Sequence, residues 1–424
     1  MLVAESTAAV TAAIQSEDHV RPLYDTYGFA RIPATIERLL AGAQADGLPA
    51  AALAGLPEHP QTVVLLLIDS FGWQFFSQFV DQTPFLRRFL HEGRISLLTS
   101  AFPSTTAVHV TLLHTGLAAD QSGIYEWHIF DPDLQAVIGS LLFSPVFELK
   151  ADGLMAYGVD PALVYPSERL YHRLRAAGAA SAILLPAPLA HSVYTRTLCS
   201  GTLVTPFQNL ADAAARLHYL LERQRGPTFY LMYVDSIDAK MHQHGPAADA
   251  VMAEIQTVLD QLEQHLLPAL RAAPQPALLL LTADHGHIAV DPQQAIVLNR
   301  LWPDLERYLR RGGDRQPLPP SGSPRVAILH VQPGAVADVQ AQLQQRLAGK
   351  ATVMPTAELL AAGYFGPQPS ERLRARLGEL TILPAPGEAI VWDHPRAKSF
   401  NQRGLHGGLT PVEMLTELAV LAVS

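Results

Sequence analysis

An acid closes the apolar run Leu65-Leu66-Leu67-Ile68-Asp69, and a second run, Ala277 to Leu281, leads into Thr282-Ala283-Asp284-His285-Gly286-His287. Ligands of open α/β sheets gather at the carboxyl ends of strands, so Asp69, Asp284 and His285 are candidate metal ligands. Local roles are open to them too, as a helix cap for the acid or a satisfied loop position for the histidine. A third segment follows the run Phe229 to Val234 and reads Asp235-Ser236-Ile237-Asp238-Ala239-Lys240-Met241-His242-Gln243-His244. Asp238 and His242 stand four apart, so one helical turn puts them on the same face, where they can hold one cation together. Asp235 and His244 are spare candidates. The fourth segment is Gly404-Leu405-His406-Gly407-Gly408, whose glycines let the backbone approach closely and leave the imidazole unobstructed. Three carboxylates and three imidazoles are enough for two divalent ions with open coordination positions. Nitrogen and oxygen ligation without thiolate suits zinc first and manganese second. Two such ions would turn a local charge of −3 from the three aspartates into about +1, with histidines neutral.

A cationic centre needs something to attack with, and Phe102-Pro103-Ser104-Thr105-Thr106 precedes a short helical pattern that closes at Gly116. Thr106 then sits at a helix N-terminus, where unpaired N–H groups and the positive end of the dipole favour a phosphate. An adjacent metal would lower the hydroxyl pKa. The competing reading is that Ser104, Thr105 and Thr106 only cap the helix.

The elements that must position these residues are legible as alternation. The apolar runs Val63–Ile68, Ala182–Leu185, Phe229–Val234 and Ala277–Leu281 read as buried parallel strands. Val251, Ile255, Val258, Leu262 and Leu266 recur at helical spacing, as do Ile32, Ile36, Leu39 and Leu40. Thr410, Pro411 and Glu413 form a capping-box pattern with proline at the first helical position, which predicts a C-terminal helix through about Val423. From about residue 300 to 381 the composition shifts, with Arg310-Arg311-Gly312-Gly313 and a Pro/Ser-rich stretch, then a strand pattern from Val326 to Val331 and a helix carrying Val336, Val339, Leu343 and Leu347. Ala389–Trp392 reads as a strand again. The expected organisation is a metal-binding α/β core of residues 1–300 and 382–424, with residues 301–381 as a small α+β cap insertion.

Composition narrows the classes. With 30 Lys plus Arg against 39 Asp plus Glu the chain carries a formal charge of −9, which disfavours a nucleic-acid polymer as partner. Hydrophobic residues make up 49% of the 424 and charged residues 16%, which excludes general disorder. The single cysteine, Cys199, leaves no intramolecular disulfide and no thiolate metal site. The first residues lack a signal-peptide pattern, and no apolar run approaches the roughly 18 residues of a membrane span, so a soluble cytoplasmic protein is expected. No GxSxG, GxGxxG, Walker A or HExxH pattern occurs.

The strand ending in Asp69, the Phe-Pro-Ser-Thr-Thr segment running to Thr115-Gly116, Asp238-x-x-x-His242 with Gly245-Pro246, Asp284-His285-Gly286, and His406-Gly407 occur in this order. The set resembles the alkaline phosphatase superfamily, in its type I phosphodiesterase/nucleotide pyrophosphatase-like branch, over about residues 60–290 and 385–424. That resemblance implies a three-layer α/β/α sandwich with a mostly parallel central sheet. It implies one zinc on Asp238, His242 and His406, the other on Asp69, Asp284 and His285, and Thr106 as nucleophile bridging toward the second ion. The implied activity is hydrolysis of a small phosphoester, a nucleotide diester or pyrophosphate being the leading class, through a phospho-threonine intermediate. Two inversions then give net retention at phosphorus. A phosphomonoesterase or phosphonate hydrolase on the same core is the alternative, and an inactive metal-binding scaffold a second one.

Departures from the family pattern mark where substrate recognition is open. Eukaryotic members resemble Lys-Thr-Phe-Pro-Asn around the nucleophile, whereas Thr105-Thr106-Ala107-Val108-His109 stands here, so His109 is either a phosphate donor in place of the Asn or a helix-surface residue. Tyr125 and Trp127 are candidates for a base or alcohol pocket, or for the core. Sulfatases of the superfamily use a modified Cys or Ser as nucleophile, and Cys199 lies far from that segment. Phosphoglycerate-mutase-like members use Ser and carry a larger insertion. Substrate identity and oligomeric state are not encoded in these motifs.

Overall fold

The computed structural model describes residues 1–42, 46–148 and 150–424. In chain order its main strands are β1 (Thr62–Ile68), β2 (Arg94–Thr99), β3 (His128–Asp131), β4 (Ala136–Gly139), β5 (Ser144–Pro145), β6 (Ala180–Pro186), β7 (Leu203–Phe207), β8 (Thr228–Val234), β9 (Ala277–Thr282), β10 (Ser321–Ser323), β11 (Val326–Leu329), β12 (Ala351–Pro355), β13 (Leu380–Pro384) and β14 (Leu415–Val423). The helices that concern the site and the layers are α1 (Ile32–Ala41), α2 (Thr106–Thr115), α3 (Leu210–Glu222), α4 (Ser236–His244), α5 (Asp249–Gln261) and α6 (Val336–Arg346).

Seven strands form the central sheet in the order β2-β14-β9-β1-β8-β6-β7. Neighbours from β9 through β7 pair in parallel, whereas β14 runs antiparallel to both β9 and β2. The side chains of β1 alternate between two cores. Val63, Leu65 and Leu67 pack with residues of α1 and α2 on one face, and Val64, Leu66 and Ile68 with residues of α3 and α5 on the other. Both faces are covered by helices, so the continuous apolar runs follow from burial on two sides, and the result is a three-layer α/β/α sandwich.

A second sheet, all antiparallel, has the order β12-β13-β11-β10-β3-β4-β5, with α6 burying Val339 and Leu343 against Leu329 and Ile382. The insertion anticipated at 301–381 is therefore not self-contained. Its sheet runs on to Pro384 and is extended by three strands from residues 128–145. The strand anticipated at Ala389–Trp392 is two residues, Ile390–Val391, paired with Ile296–Val297 outside the central sheet.

The C-terminal helix expected from the capping-box pattern is one turn only, Pro411–Met414, after which Leu415–Val423 is the strand β14. The apolar residues of this segment are buried on both faces of the sheet between β9 and β2, and that burial outweighs the local helix signal. The cap itself is not made. Thr410 Oγ1 donates to the Glu413 carboxylate (2.7 Å), and Glu413 is buried against Arg325. Among the described residues no helix is long and apolar enough to cross a membrane.

Candidate metal centre and nucleophile

Asp69 follows β1 directly, Asp284 and His285 follow β9, and Asp238 lies in the first turn of α4 after β8, so adjacent parallel strands deliver their acids to one edge of the sheet. His242 comes one turn along α4, with Nε2 3.4 Å from Asp238 Oδ1. His406 arrives from the far end of the chain, after the short strand Gly404–Leu405 paired with Ile288–Ala289. Two groups result whose donor atoms lie within 4.8 Å of one another: Asp69, Asp284 and His285, and Asp238, His242, His287 and His406. The rings of His285 and His406 stack at 3.7 Å, so the two groups share a wall.

The hydrogen bonds around these side chains fix which atoms are free. His242 Nδ1 lies 2.8 Å from Gly404 O, His285 Nδ1 3.1 Å from Gly286 O, and His406 Nδ1 3.0 Å from Ser104 O. Each Nδ1–H is thereby used on a backbone carbonyl and each Nε2 lone pair is left for a cation, the usual arrangement of a metal-ligating histidine. Asp284 Oδ1 accepts from the backbone N–H groups of Ser70 (3.1 Å) and His285 (3.0 Å), while its buried Oδ2 receives no hydrogen bond. Tyr233 donates its hydroxyl to Asp69 Oδ2, and Ser70 Oγ donates to Asp238 Oδ1 (2.8 Å).

The electrostatics of these groups suit divalent cations. Burial, with Asp284 and Asp238 nearby, pushes the Asp69 carboxyl well above its usual range, and burial likewise lifts Asp284 to about 7. Burial would raise Asp238 as well, but His242 and the hydrogen bond from His287 outweigh it and hold that carboxyl well below its usual value. Burial holds His285 and His406 well below theirs, which keeps them neutral, the ligand form. A buried carboxylate oxygen with no donor, like-charged acids on one floor and oriented neutral imidazoles fit divalent ions.

Thr106 is the first residue of α2, with its Oγ1 3.1 Å from His285 Nε2 and 3.4 Å from Asp69 Oδ2. The loop before it is tied to the His406 loop: Ser104 Oγ donates to Gly408 O (2.8 Å), and Ser104 N–H to Gly407 O (3.2 Å). The hydroxyl group therefore stands at a helix N-terminus and at the edge of the first metal group at once.

The residues expected to touch substrate divide. His109 is fully buried. Its Nε2 accepts from Ala101 N–H (2.9 Å), and its Nδ1–H donates to Thr105 O (2.7 Å), so both ring nitrogens brace the loop that carries Thr106 and neither is available to phosphate. Burial pushes its pKa down to about 4, so it is not a cation either. Tyr125 is also buried, its hydroxyl engaged with Ser321 Oγ (2.9 Å) and Arg376 O (3.1 Å), so it braces the second sheet rather than lining a pocket. Trp127 does line a cavity, one that Thr106, Asp69 and Asp238 also border. Of the spare candidates, Asp235 borders the same cavity and His244 is exposed outside both groups.

Sequence reasoning passed over His287, whose Nε2 lies 2.9 Å from Asp238 Oδ1. The signal was its spacing, since residues two apart in an extended segment face the same way, and His285 was already a candidate. Tyr233 and Ser70 were overlooked as well. They belong to the strand ends themselves, where nothing in the pattern distinguishes them from core and turn residues.

The chain's residues 63–409 match the model of the type I phosphodiesterase/nucleotide pyrophosphatase family. No curated protein matches by sequence. Among solved structures, murine ectonucleotide pyrophosphatase/phosphodiesterase 5 (ENPP5, NPP5) superimposes with a TM-score of 0.63 at 19% identity, covering 85% of this chain and 88% of that one. An inactive variant of the murine protein in complex with AMP gives the same figures, a TM-score of 0.63 at 19% identity. The human protein of that name gives 0.60 at 18%, covering 85% and 87%. At these identities the likeness is one of fold, while the family match spans most of the sequence: the chain belongs to the type I phosphodiesterase/nucleotide pyrophosphatase family of the alkaline phosphatase superfamily and is a hydrolase of phosphoric ester bonds.

Proposed function

We propose that the protein hydrolyses phosphodiesters, nucleotide diesters and pyrophosphates being the leading family precedent, through a phospho-Thr106 intermediate. The observation that carries this reading is the position of Thr106 Oγ1, at the start of α2 and 3.1 Å from His285 Nε2. Asp69, Asp284 and His285 would hold one divalent ion and Asp238, His242 and His406 the other, with zinc the first choice and manganese the second. When bound, such ions supply positive charge that lowers the pKa of a hydroxyl and stabilises oxygens on which negative charge develops.

The chain's own groups account for the remainder. The free N–H groups in the first turn of α2 receive the phosphoryl oxygens beside Thr106. Thr106 Oγ1 loses its proton and forms a bond to phosphorus while the bond from phosphorus to the leaving alcohol oxygen breaks in line, and that oxygen takes up a proton. Water then attacks the phospho-threonine from the vacated side, the bond from phosphorus to Oγ1 breaks, and a phosphomonoester leaves. Tyr233 keeps Asp69 oriented throughout, and the loop from Ala101 to Thr105, braced by His109, keeps Thr106 in place. The murine neighbour's complex with AMP supports a nucleotide as one substrate to try.

The test is release of nitrophenol from bis(4-nitrophenyl) phosphate. Wild-type protein loaded with zinc or manganese should turn over, chelation should abolish turnover, and Thr106→Ala should bind metal normally yet fall by at least about a thousandfold, as when a nucleophile is removed. Full activity of Thr106→Ala, or of metal-free protein, would overturn the scheme.

A further inference from the structure

A cavity of about 300 Å³ opens beside Thr106 and shares Asp69 and Asp238 with the site, so it adjoins the phosphoryl position. Thr106, Val110 and Leu113 are spaced i, i+4, i+7 on α2, which places the nucleophile at the head of an apolar stripe that runs along the cavity wall. Trp127, Leu141, Leu142 and Leu189 line it too, and Leu189 is left 37% exposed, a large apolar side chain with nothing over it.

The polar groups on the wall are almost all occupied. Tyr194 and Thr111 share their hydroxyls (2.9 Å), Thr195 Oγ1 donates to Leu189 O (2.8 Å), Ser192 Oγ lies 3.0 Å from Thr195 Oγ1, and Tyr233 is held by Asp69. His114 is bound to the Tyr171 hydroxyl (2.6 Å), and burial pushes its pKa down to about 3, so it is uncharged. Among the described residues no Lys, Arg, Asn or Gln borders the cavity, and the acid there outside the two metal groups is Asp235. A nucleobase edge entering this space would find only the Asp235 carboxylate and the Trp127 indole N–H to replace its hydrogen bonds to water, and a second phosphate would meet a carboxylate with no counter-ion. An alkyl or aryl group loses nothing by entering.

Resting on the phosphodiesterase reading above, we infer that this cavity receives an uncharged alkyl or aryl substituent, and that the preferred substrates are phosphodiesters carrying one such apolar alcohol. In-line displacement puts the leaving oxygen on the far side of phosphorus from Thr106 Oγ1. The cavity follows the helix face that bears Thr106, so it holds the alcohol that stays on phosphorus, and the product is an apolar phosphomonoester.

The experiment keeps the 4-nitrophenyl leaving group constant and varies the retained alcohol: methyl, butyl, hexyl and phenyl 4-nitrophenyl phosphates beside 4-nitrophenyl thymidylate, with kcat/KM measured for metal-loaded wild type. Full burial of a methylene is worth about fourfold, so methyl to butyl has a ceiling of about 60-fold, and a rise of at least about tenfold is expected, with the butyl and phenyl esters above thymidylate. Leu142→Asp and Leu189→Asp should flatten that rise. Hydrolysis of all the esters with no dependence on chain length, or with thymidylate preferred, overturns the cavity assignment while leaving the phosphodiesterase reading intact. Hydrolysis of none of them by metal-loaded protein overturns the reading itself and the inference with it.

Discussion

His287 stands among four convergent groups but differs from the other histidines in one respect. Its Nδ1 is buried and without a hydrogen-bond partner, whereas His242, His285 and His406 each use Nδ1 on a carbonyl. A metal-bound Nε2 would require a proton on that Nδ1 and leave a buried N–H unsatisfied, while an Nε2–H donated to Asp238 Oδ1 at 2.9 Å leaves only a lone pair without a partner, the less costly of the two. His287 then orients Asp238 without touching metal. Loss of such a supporting hydrogen bond weakens metal affinity by about 10- to 100-fold. Because Ser70 Oγ donates to the same oxygen at 2.8 Å and would remain, the lower part of that range applies, roughly 10- to 30-fold or about 1.4–2 kcal/mol. His287→Ala should lose that much at one of two zinc sites in competition with a chromophoric chelator. His287→Gln, whose amide N–H occupies the place of Nε2–H but is a poor zinc ligand, should recover most of it, and cobalt-substituted protein should keep its visible spectrum in both. Loss of a whole metal equivalent in both variants, or a changed cobalt spectrum, would show that His287 is a ligand and refute the reasoning. Affinity unchanged in His287→Ala would refute it from the other side.

Arg325 and Glu413 form a bidentate pair (2.9 and 3.0 Å) that is almost wholly buried, so Arg325→Ala should destabilise the fold by about 3–5 kcal/mol. Over 424 residues that corresponds to a fall in Tm of about 3–6 °C, and a melt unchanged within one degree would count against it. The pH dependence of metal-free protein follows from the carboxyls that burial raises well above their usual range, Asp69 and Glu417. Above pH 7 unfolded acids are ionised and unfolded histidines are neutral, so the folded state binds more protons and its stability falls as pH rises. Bound cations take over the neutralisation of Asp69, so the Tm of chelated protein should fall between pH 7 and 8.5 and the gain on adding manganese should grow. A gain that shrinks with pH would contradict the sign.

What the sequence made legible were the places where one requirement dominates. β1, β8 and β9 are buried on both faces, so they appear as unbroken apolar runs, and the acids that end them stand out against that background. Asp238 and His242 were recognisable because a single helical turn brings them together. The C-terminal segment was misread because Thr410, Pro411 and Glu413 satisfy a local helix rule while Leu415–Val423 answers to the gap between β9 and β2, and nothing local reveals that gap. The strands of residues 128–145 were not anticipated as part of the second sheet, since β3 to β5 are short and only β3, through His128 opposite Gly322, pairs with β10, nearly 200 residues away. His109 was open between two roles until its surroundings were known. The position one turn after Thr106 faces inward, toward Phe29 and the Ala101 amide, so an imidazole there becomes a brace.

The second sheet is bound to the candidate metal centre more closely than a cap over an entrance would be. Arg325 stands in the turn between β10 and β11, and the carboxylate it holds, Glu413, also accepts from Gly408 N–H (3.0 Å) and Thr410 Oγ1 (2.7 Å). Gly408 is two residues from His406, whose Nδ1 is held by Ser104 O, and Ser104 is two residues from Thr106. Hydrogen bonds and short stretches of backbone therefore run from the second sheet through the candidate ligand His406 to Thr106, the proposed nucleophile. Gly407 has φ of +121° with Glu126, Ser323 and Arg325 packed about its α-carbon, so this loop has no room for a side chain and no ordinary conformation for one. A site that closes only when residues near 105, 325 and 406 are seated together is assembled by the central and second sheets jointly.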